Sequence, residues 1–185
     1  MQRPPFRVIQ GGKTRMFPLG SCQVTASPRS QAPFPVDATV FEEDTWRVLS
    51  ADKDARPEKG HPVRLMTDMV FDQQVEPGSL LIRGKRWLAV IHDLEMDPTC
   101  REAWIRKALA AVLEAAGEQN CRALALPLLG SVHGCIAWQE SLQLITDALL
   151  GRKTTEPALR IWLQISPQHL AGAVTQLNRT FSGAH

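Results

Sequence analysis

The clearest alternation of apolar and polar positions begins at Ser79. SLLIRG and RWLAVIHD are short apolar runs separated by Gly84 and Lys85, the spacing of a hairpin or of two neighbouring strands. Ile105, Leu109, Val112, Leu113 and Ala116 then fall at i, i+4, i+7, i+8 and i+11, which predicts a core-facing helix. Thr99 and Glu102 have the spacing of a capping box, and Gly117 is placed to stop that helix. RALALP predicts a buried strand. Trp138, Leu142, Ile145 and Leu149 predict a second helix ended by Gly151, and RIWLQI a further strand. Ser166 and Pro167 open a last helix with Leu170, Val174, Leu177 and Phe181 on one face.

Before Ser79 the pattern is weaker. Nine of the chain's 13 prolines lie there, and residues 27–35, SPRSQAPFP, read as a loop or extended arm. FRVIQ, ATVFEED and TWRVLS are expected to be short strands, and residues 51–62 a charged, solvated loop. Short strands alternating with amphipathic helices predict an α/β fold, a three-layer α/β/α arrangement around a mixed, largely parallel sheet. The 185 residues are expected to form a single domain, with residues 1–36 as a Pro-rich extension or irregular first strands.

Composition narrows the classes of partner. A net charge of +2 does not indicate a nucleic-acid or membrane surface. The N-terminus lacks the apolar core of a signal peptide, and no apolar run approaches a membrane span. Cys22, Cys100, Cys121 and Cys135 contain no CxxC pair. Reduced thiols in a cytoplasmic protein are expected, with no metal and no cofactor.

In such sheets ligands bind beyond the carboxyl ends of the strands, where loops lead into helices. GSVHG, residues 130–134, lies at such a place between RALALP and the second helix. Gly130 and Gly134 let a ligand approach the main chain, and successive N–H groups entering a helix attract anions. The segment is therefore either a tight turn or a phosphate cradle. It is neither a Walker loop nor a dinucleotide fingerprint. Cys135, two residues from His133, is either a nucleophile at a helix start or a small packed residue. His92 and Asp93 are a base with its orienting carboxylate, or a polar pair where a strand leaves the core. The pairs Glu42 to Asp44, and Glu95 with Asp97, are either an acid and base or, as the default, exposed loop acids. Trp46 either stacks on a base or packs in a strand.

The ordered set of A-L-P, L-L-G-S-V-H-G-C-I-A-W-Q-E and a helical L-x-L-I resembles the second half of a macro domain, over about residues 75–177. Pro127, Gly130, Gly134 and Trp138 fall where one branch of that family has Pro, Gly, Gly and Trp. PGSLLIRGKRWLAVIHDLE is similar to the hairpin that precedes the family's ligand-lining loop. The resemblance implies binding of ADP-ribose or a related nucleotide or phosphorylated ligand. Gly130, Ser131, Val132, His133, Gly134, Cys135 and Ile136 would hold the diphosphate and distal ribose, and Ile91, His92 and Asp93 would line the cleft. The family's adenine-binding Asp and its Asn have no recognisable counterpart near Gly11 to Thr14 or Asp37 to Asp44. Val132 and Cys135 replace loop glycines, and Ala137 stands where the hydrolytic branch has an acid. A binding module without efficient hydrolase activity is therefore expected. One alternative is an ADP-ribosyl glycohydrolase or phosphatase-type hydrolase in which His133, Ser131 or Asp93 substitutes for the acid. Another is a protein-interaction module with a closed cleft and a protein partner.

Overall fold

The computed structural model describes residues 16–49, 74–152 and 157–183, without the side chains of 181–183. Seven strands form one sheet: β1 (Met16–Leu19), β2 (Cys22–Ser27), β3 (Ala38–Asp44), β4 (Leu80–Arg83), β5 (Arg86–His92), β6 (Ala123–Pro127) and β7 (Leu159–Gln164). Their spatial order is β1-β2-β7-β6-β3-β5-β4. The five inner strands are parallel, and β1 and β4 are antiparallel edges. Three helices complete the described fold: α1 (Glu102–Glu118), α2 (Trp138–Leu150) and α3 (Pro167–Gly183). This is the mixed, largely parallel α/β architecture that the alternation of patterns predicts.

The helices share one apolar cluster with one side of the sheet. Ile105, Leu109 and Val112 of α1 and Leu142, Ile145 and Leu149 of α2 pack there with Trp87, Ala89 and Ile91 of β5, and with Leu124 and Leu126 of β6. The intervening residues Leu88, Val90 and Ala125 are also fully buried, so both faces of the central strands are apolar. That double burial is why these strands read as continuous apolar runs rather than as alternating ones.

Several local expectations are corrected. Helix α1 starts one residue after Arg101, which makes no side-chain cap. The Thr99 hydroxyl lies instead 3.8 Å from Cys135 Sγ, and Glu102 pairs with Arg106 one turn on. The stop comes not at Gly117 but at Asn120, which takes the left-handed conformation at φ 51°. TWRVLS is not a strand over its described residues. Asp44 accepts N–H bonds from Trp46, Val48 and Leu49, and so turns the chain as soon as β3 ends. The loop read at 27–35 holds from Pro28 onward, with Ser27 ending β2, whereas β1 and β2 come from residues the sequence reading did not single out. FRVIQ, the charged loop at 51–62, the segment Gly11 to Thr14 and the Phe181 side chain lie outside the described residues. No helix among the described residues is long and apolar enough to cross a membrane.

Candidate functional site

Parallel pairing puts the carboxyl ends of β3, β5 and β6 side by side. Strands β3 and β5 bring the buried side chains Glu42 and His92, and the loop after β6 brings backbone N–H groups and the half-buried Cys135 against them. Glu42, near the end of β3, has a side chain only 1% exposed. It is not the loop acid that the sequence suggests. One carboxylate oxygen accepts the N–H of Gly130 at 2.7 Å and that of Val132 at 3.4 Å. The other lies 2.9 Å from His92 Nε2, at the end of β5. A buried carboxylate needs such donors, because burying the charge without them is costly.

This pairing sets the chemistry of His92. A carboxylate can only accept, so Nε2 carries the proton that faces Glu42. In the neutral ring the lone pair is then on Nδ1, which lies 3.5 Å from Cys135 Sγ. Cys100 completes the group: it bridges to His92 through the backbone, and its sulfur lies within 4.8 Å of both His92 and Cys135. Burial, and then the neighbouring Cys135, push the Cys100 thiol up to about 12. Cys135 therefore meets His92 rather than His133, its neighbour in sequence. His133 sets its ring edge-on against His92 at 5.3 Å between centroids. Its Nε2 is 3.9 Å from Glu42 and its side chain is 44% exposed.

The loop from Gly130 to Ile136 folds onto itself before entering α2. Cys135 and Ile136 both donate to the Gly130 carbonyl, and Ser131 donates through its N–H and its hydroxyl to the Leu128 carbonyl. Its two glycines have different physical reasons. At Gly130, φ is 82° and a Cβ would stand 2.5 Å from Ile105 Cδ1. At Gly134, φ is 76° and a Cβ would meet nothing within 4 Å, so only the backbone conformation demands glycine. Of the residues expected to line the cleft, His92 is in the buried polar group and Ile91 lies in the apolar core. Asp93 caps the following turn through its contact with the Glu95 N–H. Glu95 and Asp97 are exposed and Trp46 is half-buried.

Two clefts flank this loop and share Val132 and Gln164. The smaller, about 170 Å³, is lined by Arg29, Phe41, Glu42, Arg86 and His133. The larger, about 510 Å³, lies between the loop and the start of α3 and is lined by Ser131, Trp138, Ser166 and His169. Trp138 stacks on His169 with centroids 5.3 Å apart and rests on Gly172, where a Cβ would be 2.8 Å from its ring. A groove of about 680 Å³ between α1 and α2 is larger still, but its lining is helical and it contains none of the buried polar residues gathered at the strand ends. The strand-end clefts are therefore the candidate site.

Solved macrodomain structures share this architecture. A mutant of the Oceanobacillus iheyensis macrodomain with ADPR superposes with a TM-score of 0.65 at 7% identity, covering 91% of this chain and 98% of that one. The macrodomain of Thermus aquaticus DarG gives 0.52 at 19% identity, over 78% of this chain and 99% of that one. The macro domain of ganglioside induced differentiation associated protein 2 gives 0.56 at 11%, over 85% and 83%. The sequence matches no protein-family model and no curated protein. The chain has the macrodomain fold.

Proposed function

We propose that this protein is a divergent macrodomain-type module that binds ADP-ribose or a related nucleotide, without efficient hydrolase activity. The observation that carries this reading is the position of the loop from Gly130 to Ile136. It stands at the carboxyl ends of parallel strands in a macrodomain fold and forms the wall between two clefts. The ADPR named with the Oceanobacillus iheyensis structure supports the ligand class.

The residues suit binding better than cleavage. His133 and Arg29 line the smaller cleft and supply cationic or hydrogen-bonding contacts for a diphosphate. Trp138 and His169 offer a stacked aromatic wall in the larger one. The buried carboxylate nearest the loop, Glu42, is engaged by two backbone N–H groups and His92, and the Asp93 carboxylate is engaged in its own turn. Glu42 is thus read as a structural carboxylate, and Asp93, which accepts one N–H through one oxygen, as a turn residue. Calorimetry with ADP-ribose, ADP and ribose 5-phosphate tests the reading. Saturable binding of ADP-ribose, weakened by His133→Ala, is expected, with no turnover of an ADP-ribosylated peptide. No heat and no thermal stabilisation at millimolar ADP-ribose would overturn it and favour the closed-cleft interaction module.

A further inference from the structure

We propose that His92, Cys100 and Cys135 form a zinc site with three protein ligands, tuned by Glu42 from behind the histidine. The argument uses the soft donor set and its geometry, and is independent of the nucleotide reading. A ring nitrogen of His92 and the two sulfurs all lie within 4.8 Å of one another, and Nδ1 is the nitrogen that faces Cys135. Zinc bonds sulfur at about 2.3 Å and imidazole nitrogen at about 2.05 Å. Across a tetrahedral angle this places sulfur and nitrogen roughly 3.5 Å apart and two sulfurs roughly 3.8 Å apart. The observed Cys135 Sγ to His92 Nδ1 distance is 3.5 Å. Small movements of the Cys100 side chain complete the arrangement.

The outer contacts match what a metal-binding histidine requires. Its far nitrogen characteristically donates to a carboxylate, which fixes the tautomer and orients the ring. Glu42 does this at 2.9 Å and is itself held by the Gly130 N–H. A second group, Glu42, His92 and His133, also lies within 4.8 Å, but a metal there would have to replace the Glu42–His92 hydrogen bond. A Cys–His–Glu nucleophilic triad accounts for Cys135 but leaves the second thiol without a role. Three protein ligands leave a fourth position for water or a ligand oxygen. The sequence shows no metal-binding spacing because the ligands come from β5, the turn after it and the loop after β6.

The test uses the full chain, stripped with chelator under reducing conditions. Native mass spectrometry and competition with a chromophoric chelator should show one zinc per chain. Cobalt(II) in its place should give thiolate-to-metal absorption in the near ultraviolet and strong tetrahedral bands in the visible. Cys100→Ser and Cys135→Ser should each abolish the thiolate band or weaken binding at least tenfold, whereas Cys121→Ser should keep both. Glu42→Gln should retain the stoichiometry and weaken affinity by about 10–100-fold. Absence of stoichiometric uptake by the wild-type chain overturns the proposal, whatever the variants do. So does a cobalt spectrum without a thiolate band, or a Cys100–Cys135 disulfide formed without metal uptake. Uptake is measured without nucleotide, so it can fail or succeed separately from ADP-ribose binding.

Discussion

Glu42 and His92 are fifty residues apart in the chain and meet at 2.9 Å in its interior. Their contact joins the ends of β3 and β5, and the second oxygen of Glu42 extends the link to the loop after β6. Glu42→Ala should therefore unfold the protein more easily, by about 2–4 kcal/mol, since it leaves buried donors without an acceptor. Glu42→Gln, which keeps one acceptor oxygen, should cost less. Urea denaturation followed by tryptophan fluorescence measures both, and a loss below about 0.5 kcal/mol for the alanine variant would refute the role given to this carboxylate.

The two loop glycines should separate in the same assay. Gly130→Ala combines backbone strain with a collision against Ile105, so a loss of about 3 kcal/mol or more is expected. Gly134→Ala meets only the strain, about 1–2 kcal/mol. Ile105→Val removes the Cδ1 atom nearest the new methyl group and should recover part of the Gly130→Ala loss. Equal effects at both glycines, or no recovery, would contradict the packing described.

At the opposite end of the sheet, Asp37 accepts N–H bonds from Arg122 and Ala123. The Arg122 contact is the largest cause holding its carboxyl below the usual 3.8. A carboxyl whose folded pKa is depressed contributes stability above its unfolded pKa and loses it as pH falls through the folded one. Asp37→Asn should thus flatten the stability profile below about pH 4 and leave the neutral-to-alkaline slope unchanged. Denaturation midpoints measured from pH 2.5 to 7 would show this. An unaltered acid limb would argue against it.

Thiol reactivity offers a fourth check on the metal-free protein. Cys100 is buried and its thiol is pushed up to about 12, while Cys135 is half-buried. Pulsed alkylation at pH 8, read by mass spectrometry of peptides, should label Cys135 first and Cys100 only on opening of the fold. Labelling of Cys100 at the rate of a free thiol would be incompatible with this environment.

The legible parts of the sequence are those where one local rule determines the outcome. The stripe of Ile105, Leu109 and Val112 and the run RWLAVIH each encode their burial in their own spacing, and both are recovered in α1 and β5. The position of the loop from Gly130 to Ile136 at a strand end followed from the same patterns. Glu42 was misread because a buried acid looks like an exposed one until its donors are known, and these come from residues 92, 130 and 132. Thr99 shows the converse: its capping-box spacing is satisfied in sequence, but its hydroxyl is near Cys135. The pairing of Cys135 with His92 rather than His133 belongs to the same class. Strand β1 escaped because the four residues MFPL carry little pattern of their own, whereas β2, CQVTAS, does alternate apolar and polar positions and was a legible strand passed over between proline-rich neighbours.

The carboxylate of Glu42 already sits on the Gly130 and Val132 N–H groups, the kind of donors an incoming phosphate would seek. It is thus a tethered competitor, present at a local concentration that no free anion matches at ordinary levels. A phosphate that takes those two donors must first displace Glu42, and with it the hydrogen bond that orients His92 towards the thiols. Were an anion to take those donors, its binding and the state of the His92–Cys135 pair would be linked through a single side chain, each altering the affinity of the other for its partner.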